Sequence, residues 1–170
     1  MTKLLKLLYF LDFTHFKQTG YPCIGLKYYS FQRGPVPKDF WLEIRDGNVP
    51  EDFRDKLALI PRKDDLNQDF REIEFQAKAN PDLSIFSPRE LEILDNLAFV
   101  FKDARAWEMA EVTHLPQQPW DTTIREKGKN RLIDYLLAID EESEVDLEDA
   151  RESLKEHFEV LSNFQLEPSK

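Results

Sequence analysis

Leu4, Leu7, Leu8 and Leu11 recur at the i, i+3, i+4, i+7 spacing of one helical face, and Phe10, Phe13 and Phe16 widen that face over most of the circumference. An apolar surface that wide belongs to a helix in the middle of a domain. The pattern predicts a helix over residues 2–19, stopped at Gly20 and followed by Pro22. Asp12 and His15 interrupt the run, no small-residue cleavage site follows, and the stretch is too short to span a bilayer. Neither a signal peptide nor a membrane anchor is expected.

Aromatic alternation over residues 24–32 predicts a short strand. Arg33-Gly34-Pro35-Val36-Pro37 reads as a sharp strand-to-helix turn or a rigid surface rim. Pro37 suits the first turn of a helix through Phe40, Trp41 and Ile44 that ends at Gly47. Residues 50–60 predict another helix, with Phe53, Leu57 and Ile60 on one face, and 61–69 a polar loop. Residues 70–78 alternate as a half-buried strand through Ile73 and Phe75; Asn80-Pro81-Asp82 is a turn and 83–86 a return strand.

Ser87-Pro88-Arg89-Glu90 carries a capping box with proline at the first helical position. It predicts a helix to about Lys102, with Leu91, Leu94, Ala98 and Phe101 inward. Asp103 is expected to cap a short helix bearing Trp107, Ala110 and His114. Pro116 and Pro119 then make a rigid loop holding Trp120, read as a core plug in preference to an exposed anchor. A helix over 129–139 would bury Leu132, Ile133, Leu136 and Leu137, and an amphipathic one over 146–163 runs through Leu147, Ala150, Leu154, Phe158 and Leu161. The sum is an α+β, predominantly α-helical fold: a central buried N-terminal helix, five or six further helices and a small antiparallel sheet.

Composition narrows the function. The 170 residues are 41% apolar and 12% aromatic, enough for one domain with a real core. The net charge of −10 argues against a general nucleic-acid binder. From Asp134 onward twelve acids meet three bases, so −9 of that charge lies in the tail. Cys23 is the single cysteine, which excludes an internal disulfide and suits a reducing cytosol. His15, His114 and His157 show no metal-ligand spacing, so neither metal nor cofactor is expected. Cys23 with His114 could form a nucleophile–base pair, but no Gly-rich oxyanion loop is near, and His114 reads more simply as a hydrogen bonder at a helix end. Paired acids such as Asp64-Asp65 and Asp140-Glu141-Glu142 sit in polar runs and read as solvated surface.

Lys6-Leu7-Leu8-Tyr9-Phe10, Gly20, Gly34-Pro35-Val36, Ser87-x-x-Glu90-x-x-x-Leu94, Thr113-His114 and Pro119-Trp120 follow one another in order. In that order and spacing they resemble the Panacea domain, the SocA-like antitoxin domain, over about residues 3–122. Many members of that family carry a further helix ahead of the Lys-Leu-Leu-Tyr motif, which sets Met1 of this chain late against them. The resemblance implies an antitoxin of a bacterial, phage or prophage type II toxin–antitoxin system. Such a protein binds a toxin encoded beside it; one branch of the family instead delivers its toxin to a protease as an adaptor. It implies an antitoxin domain over 1–140 and an appended acidic helix over 141–170. Family-motif residues are Lys6, Leu8, Tyr9, Gly34, Pro35, Val36, Thr113, His114, Pro119 and Trp120, and no catalytic residue is expected. Glu148, Asp149, Glu152 and Glu156 would meet a basic toxin. A hydrolase using His114 is the alternative of another class, and self-association is left open.

Overall fold

The structure is a computed structural model and describes residues 1–63 and 71–165. Its order is α1 (Thr2–Thr19), β1 (Tyr28–Phe31), β2 (Gly34–Pro37), α2 (Lys38–Ile44), β3 (Leu57–Lys63), β4 (Arg71–Ala77), α3 (Pro88–Phe101), α4 (Ala106–Thr113), α5 (Pro119–Lys127) and α6 (Leu147–Gln165). Helix dominates among the described residues, and two antiparallel two-stranded sheets pair β1 with β2 and β3 with β4. This is the expected α+β class.

Helix α1 is the axle. It ends at Gly20, whose φ of 81° is the left-handed cap that stops a helix. Its buried residues are Leu5, Tyr9, Leu11, Phe13 and Phe16 together with the polar Lys6, Asp12 and His15, while Leu4, Leu7, Leu8 and Phe10 are only half-buried. The buried side is thus the aromatic one, rotated from the leucine stripe. Two apolar clusters lie along it. Around its second half Tyr9, Phe13 and Phe16 pack with Tyr28, Trp120, Ile133, Tyr135, Ala138 and Ala150. Near its start Leu5 packs with Ile44, Leu59 and Ile73.

Several elements differ from expectation. Gly34–Pro37 is a strand, not a turn; the turn is Gln32-Arg33. Two prolines are tolerated because of register. Pro35 and Pro37 lie opposite Ser30 and Tyr28. Those two residues aim their backbone groups the other way: Ser30 exchanges bonds with Asn130 and Arg131, and Tyr28 accepts from Ile133. The prolines therefore occupy positions where the ladder asks for no N–H.

The helix expected over 50–60 is a short 3₁₀ turn, Glu51–Phe53, followed by β3, which also takes 61–63 from the expected loop. Leu59 is buried and faces Phe75 across the hairpin, so cross-strand packing overrides the helical spacing. Asp64 and Asp65 lie outside the described residues. Leu83–Ile85 is a 3₁₀ turn rather than a strand, because the Asp82 carboxylate accepts from the Ser84 backbone and hydroxyl.

The capping box of α3 forms on both sides: Glu90 N–H donates to Ser87 Oγ and Ser87 N–H to the Glu90 carboxylate. Its buried residue is Ile93, with Leu91, Leu94 and Phe101 half-buried and Ala98 exposed. Helix α4 is capped at Arg105, not Asp103, through the Glu108 carboxylate. Pro119 and Trp120 open α5 instead of sitting in a loop, with proline at the first turn where its missing N–H is harmless. Residues 129–139 form an extended piece bridged to β1 at Leu132 and a 3₁₀ turn, Tyr135–Ala138; Leu132 is half exposed, not buried. Helix α6 forms as expected and packs on its own chain through Ala150, Leu154 and Phe158. Leu147 and Leu161 stand exposed at 46% and 38%.

Candidate functional site

The scattered motif residues converge where α1, β2, α4 and α5 meet. Lys6 leaves the buried side of α1, 1% exposed, and its Nζ donates to the Pro35 carbonyl at 2.9 Å. Gly34, at φ +103°, lies directly over that ammonium. A Cβ there would collide with Lys6 Nζ and sit 2.8 Å from Thr113 Oγ1. Only glycine gives both the backbone angle and the space. Thr113 is buried at the end of α4, and its hydroxyl donates to the Ala110 carbonyl at 2.7 Å. Burial lowers the Lys6 pKa to about 7.

His114 follows at the C-cap of α4 and lies flat on Trp120, ring centroids 3.9 Å apart. It was expected as a hydrogen bonder; instead it stacks, and its Nε2 is buried with no partner. Burial, then the Lys6 charge, holds the imidazole below its ordinary pKa. Trp120 is 8% exposed and its Nε1–H donates to the Phe31 carbonyl at 2.9 Å, so it is the core plug and ties α5 to β1. Its own backbone N–H, free at the start of α5, faces the buried Tyr9 hydroxyl. Pro35 and Pro119 are buried beside them, while Leu8 and Val36 are half-buried.

A second polar centre escaped the sequence reading. Asp12, 0% exposed, accepts five hydrogen bonds: from the backbones of Ile24, Gly25 and Leu26 and from the hydroxyls of Tyr28 and Tyr135, at 2.6–3.2 Å. It gathers the connection after α1, strand β1 and the 3₁₀ turn at 135–138 onto one carboxylate. Burial and the Asp12 charge push both phenols above their ordinary pKa. The signal was in the spacing: Leu5, Tyr9, Asp12 and Phe16 lie on one helical face, so an acid stands within an apolar stripe.

The Cys23 thiol bonds Glu90 rather than His114, and burial first, then Glu90, pushes its pKa up to about 12. No hydroxyl hydrogen-bonds His114 among the described residues, and no group of three metal-ligating side chains converges there. Glu148, Asp149, Glu152 and Glu156 stand exposed along α6, apart from the motif centre. No helix among the described residues is long and apolar enough to cross a membrane.

A family model described as Antitoxin SocA-like, Panacea domain, matches residues 4–121. No curated protein and no solved structure matches the chain.

Proposed function

The chain belongs to the SocA-like antitoxin family of Panacea domains, and from that membership we propose that it neutralises a cognate toxin by direct protein contact in the cytoplasm. Residues 1–140 form the antitoxin domain on this reading, and 141–170 are the addition that selects the partner. The observation that carries it is where the motif goes. Lys6, Gly34, Thr113, His114 and Trp120 are packed together and bonded to backbone carbonyls of the fold or stacked. A motif consumed in this way builds a platform, and what the platform presents is protein surface. Its most charged element is α6, with Glu148, Asp149, Glu152 and Glu156 exposed above an anchored inner side. An acidic face of this kind steers a basic toxin toward the chain.

Co-expression with the neighbouring reading frame tests the reading. Growth should be arrested by that frame alone and restored by this chain, and the two products should co-purify. Reversing Glu148, Asp149, Glu152 and Glu156 to lysine should weaken rescue about tenfold in toxin dose, most at low salt in vitro. Rescue without co-purification would sink the direct-contact reading.

A further inference from the structure

Between α6 and the segment 130–135 runs a groove of about 830 Å³. Its floor is apolar: Leu132, Ile133, Leu154, Phe158 and Leu161. Leu132 is 50% and Leu161 38% exposed, so this floor meets water. Its lip is cationic, formed by Lys27, Lys127 and Arg131.

Of the described cations, those of the lip are among the ones left without a carboxylate partner. Elsewhere Lys17, Arg45, Arg54, Arg89, Arg125, Arg151 and Lys155 each have a carboxylate within 4.0 Å. Among the described residues Lys27, Lys127 and Arg131 have none, although the chain holds 33 acids to 23 bases. The carboxylate that lines the groove, Asp134, is engaged as a helix cap by the Leu136 N–H at 3.0 Å.

We propose that this groove binds an acidic amphipathic helix of a partner protein, with the apolar side of that helix on the floor and its carboxylates on Lys27, Lys127 and Arg131. Leu154 to Ser162 spans about 12 Å of α6, which is a little over two turns of a docked helix. The occupant is thus a short segment with apolar residues at i, i+3, i+4 and i+7 and two or three acids beside them. A phosphate backbone would answer the lip but leave the floor wet. A fatty carboxylate would cover the floor but bring one charge to three cations. A second copy is a poor fit, because Glu148, Asp149, Glu152 and Glu156 lie on the side of α6 turned from Leu154 and Phe158 and have no apolar stripe beside them to fill the floor. The proposal goes beyond the antitoxin reading and does not rest on it.

The test uses the full chain and a fluorescein-labelled 15-residue peptide of leucine at the four apolar positions and glutamate beside them. Anisotropy should show binding that weakens as salt rises, and the same peptide with lysine for glutamate should not bind. Lys127→Glu with Arg131→Glu, and separately the exposed Leu132→Asp, should each weaken binding at least tenfold with the melting temperature unchanged. The Glu148/Asp149/Glu152/Glu156→Lys variant should bind the peptide at least as tightly as the parent does, so loss of toxin rescue and loss of groove binding are read separately. Equal binding of the lysine peptide, or no effect of the charge reversals, overturns the proposal. So does tighter binding of single-stranded DNA or oleate at the same groove, or a dimer of the chain that the same variants dissolve.

Discussion

Lys6 carries a titratable charge where water does not reach. Its pKa falls from 10.5 to about 7. Between those values the unfolded chain holds a proton that the folded chain has released, so stability rises with pH, by up to about 5 kcal/mol over the whole window. Above about pH 10 the direction reverses, because Tyr9, Tyr28 and Tyr135 resist ionisation in the fold and lose their protons in the unfolded chain. The melting temperature should therefore climb from pH 7 to about 9.5 and then fall, and Lys6→Met should flatten the climb. A flat parent profile would show that the amine is not desolvated. Gly34→Ala meets both the positive φ and the Lys6 ammonium, and should cost about 2–5 kcal/mol in chemical denaturation. Trp120→Ala removes the stack on His114 and the bond to Phe31, for about 3–5 kcal/mol. Were its melting temperature unchanged and only partner binding lost, Trp120 would be an interface anchor instead.

At the scale of elements, legibility followed locality. Helices α1, α3 and α6 were readable because their signals are contained within them: a wide apolar face, a capping box, a long amphipathic run. Strand β2 was hidden by Pro35 and Pro37, since a proline reads as a breaker unless the register is known, and the register is set by residues 130–133, about a hundred positions away. Leu57–Ile60 and Leu132–Leu137 have short apolar runs that suit helix and strand alike; partners in β4 and β1 decide them. The motif residues were legible as a set, but their mutual contact was not, because nothing in the sequence says that Gly34 covers Lys6. Asp12 offers the matching prediction. Asp12→Asn keeps the shape but removes the charge and turns an amide N–H toward the two donors on Oδ1 or the three on Oδ2, and should destabilise by about 3–5 kcal/mol, with loss of protection among the amides of Ile24, Gly25 and Leu26 in hydrogen exchange.

The whole molecule has an uneven core. The cluster around the second half of α1 draws on β1, α5, the 135–138 turn and α6. The cluster at its start rests on four buried residues, Leu5, Ile44, Leu59 and Ile73. The β3–β4 hairpin is held by the smaller one, so it should open on its own before the rest unfolds. In native-state hydrogen exchange the amides of 57–63 and 71–77 should show a lower opening free energy than those of α1 from Tyr9 to Phe16. Leu59→Ala should widen that gap and leave the Tyr9–Phe16 amides protected. A single opening energy across the chain would mean that the two clusters fold as one.

The bond from Tyr135 to Asp12 spans 123 residues, and it bears on how the protein is made. Helix α1 leaves the ribosome before its partners, and the groups that answer its interior charges arrive in instalments: the 24–26 backbone for Asp12, the Pro35 carbonyl for Lys6, and Tyr135 about a hundred residues later. At about 5–20 residues per second, about 6–25 s separate the synthesis of Asp12 from that of Tyr135. Through that interval the aromatic side of α1 has no lasting cover, and a nascent chain in that condition is a substrate for chaperones and proteases. Slower translation between the codons for Asp12 and Tyr135 should therefore lower the amount of finished protein, which a pulse-chase of synonymous slow-codon variants would read.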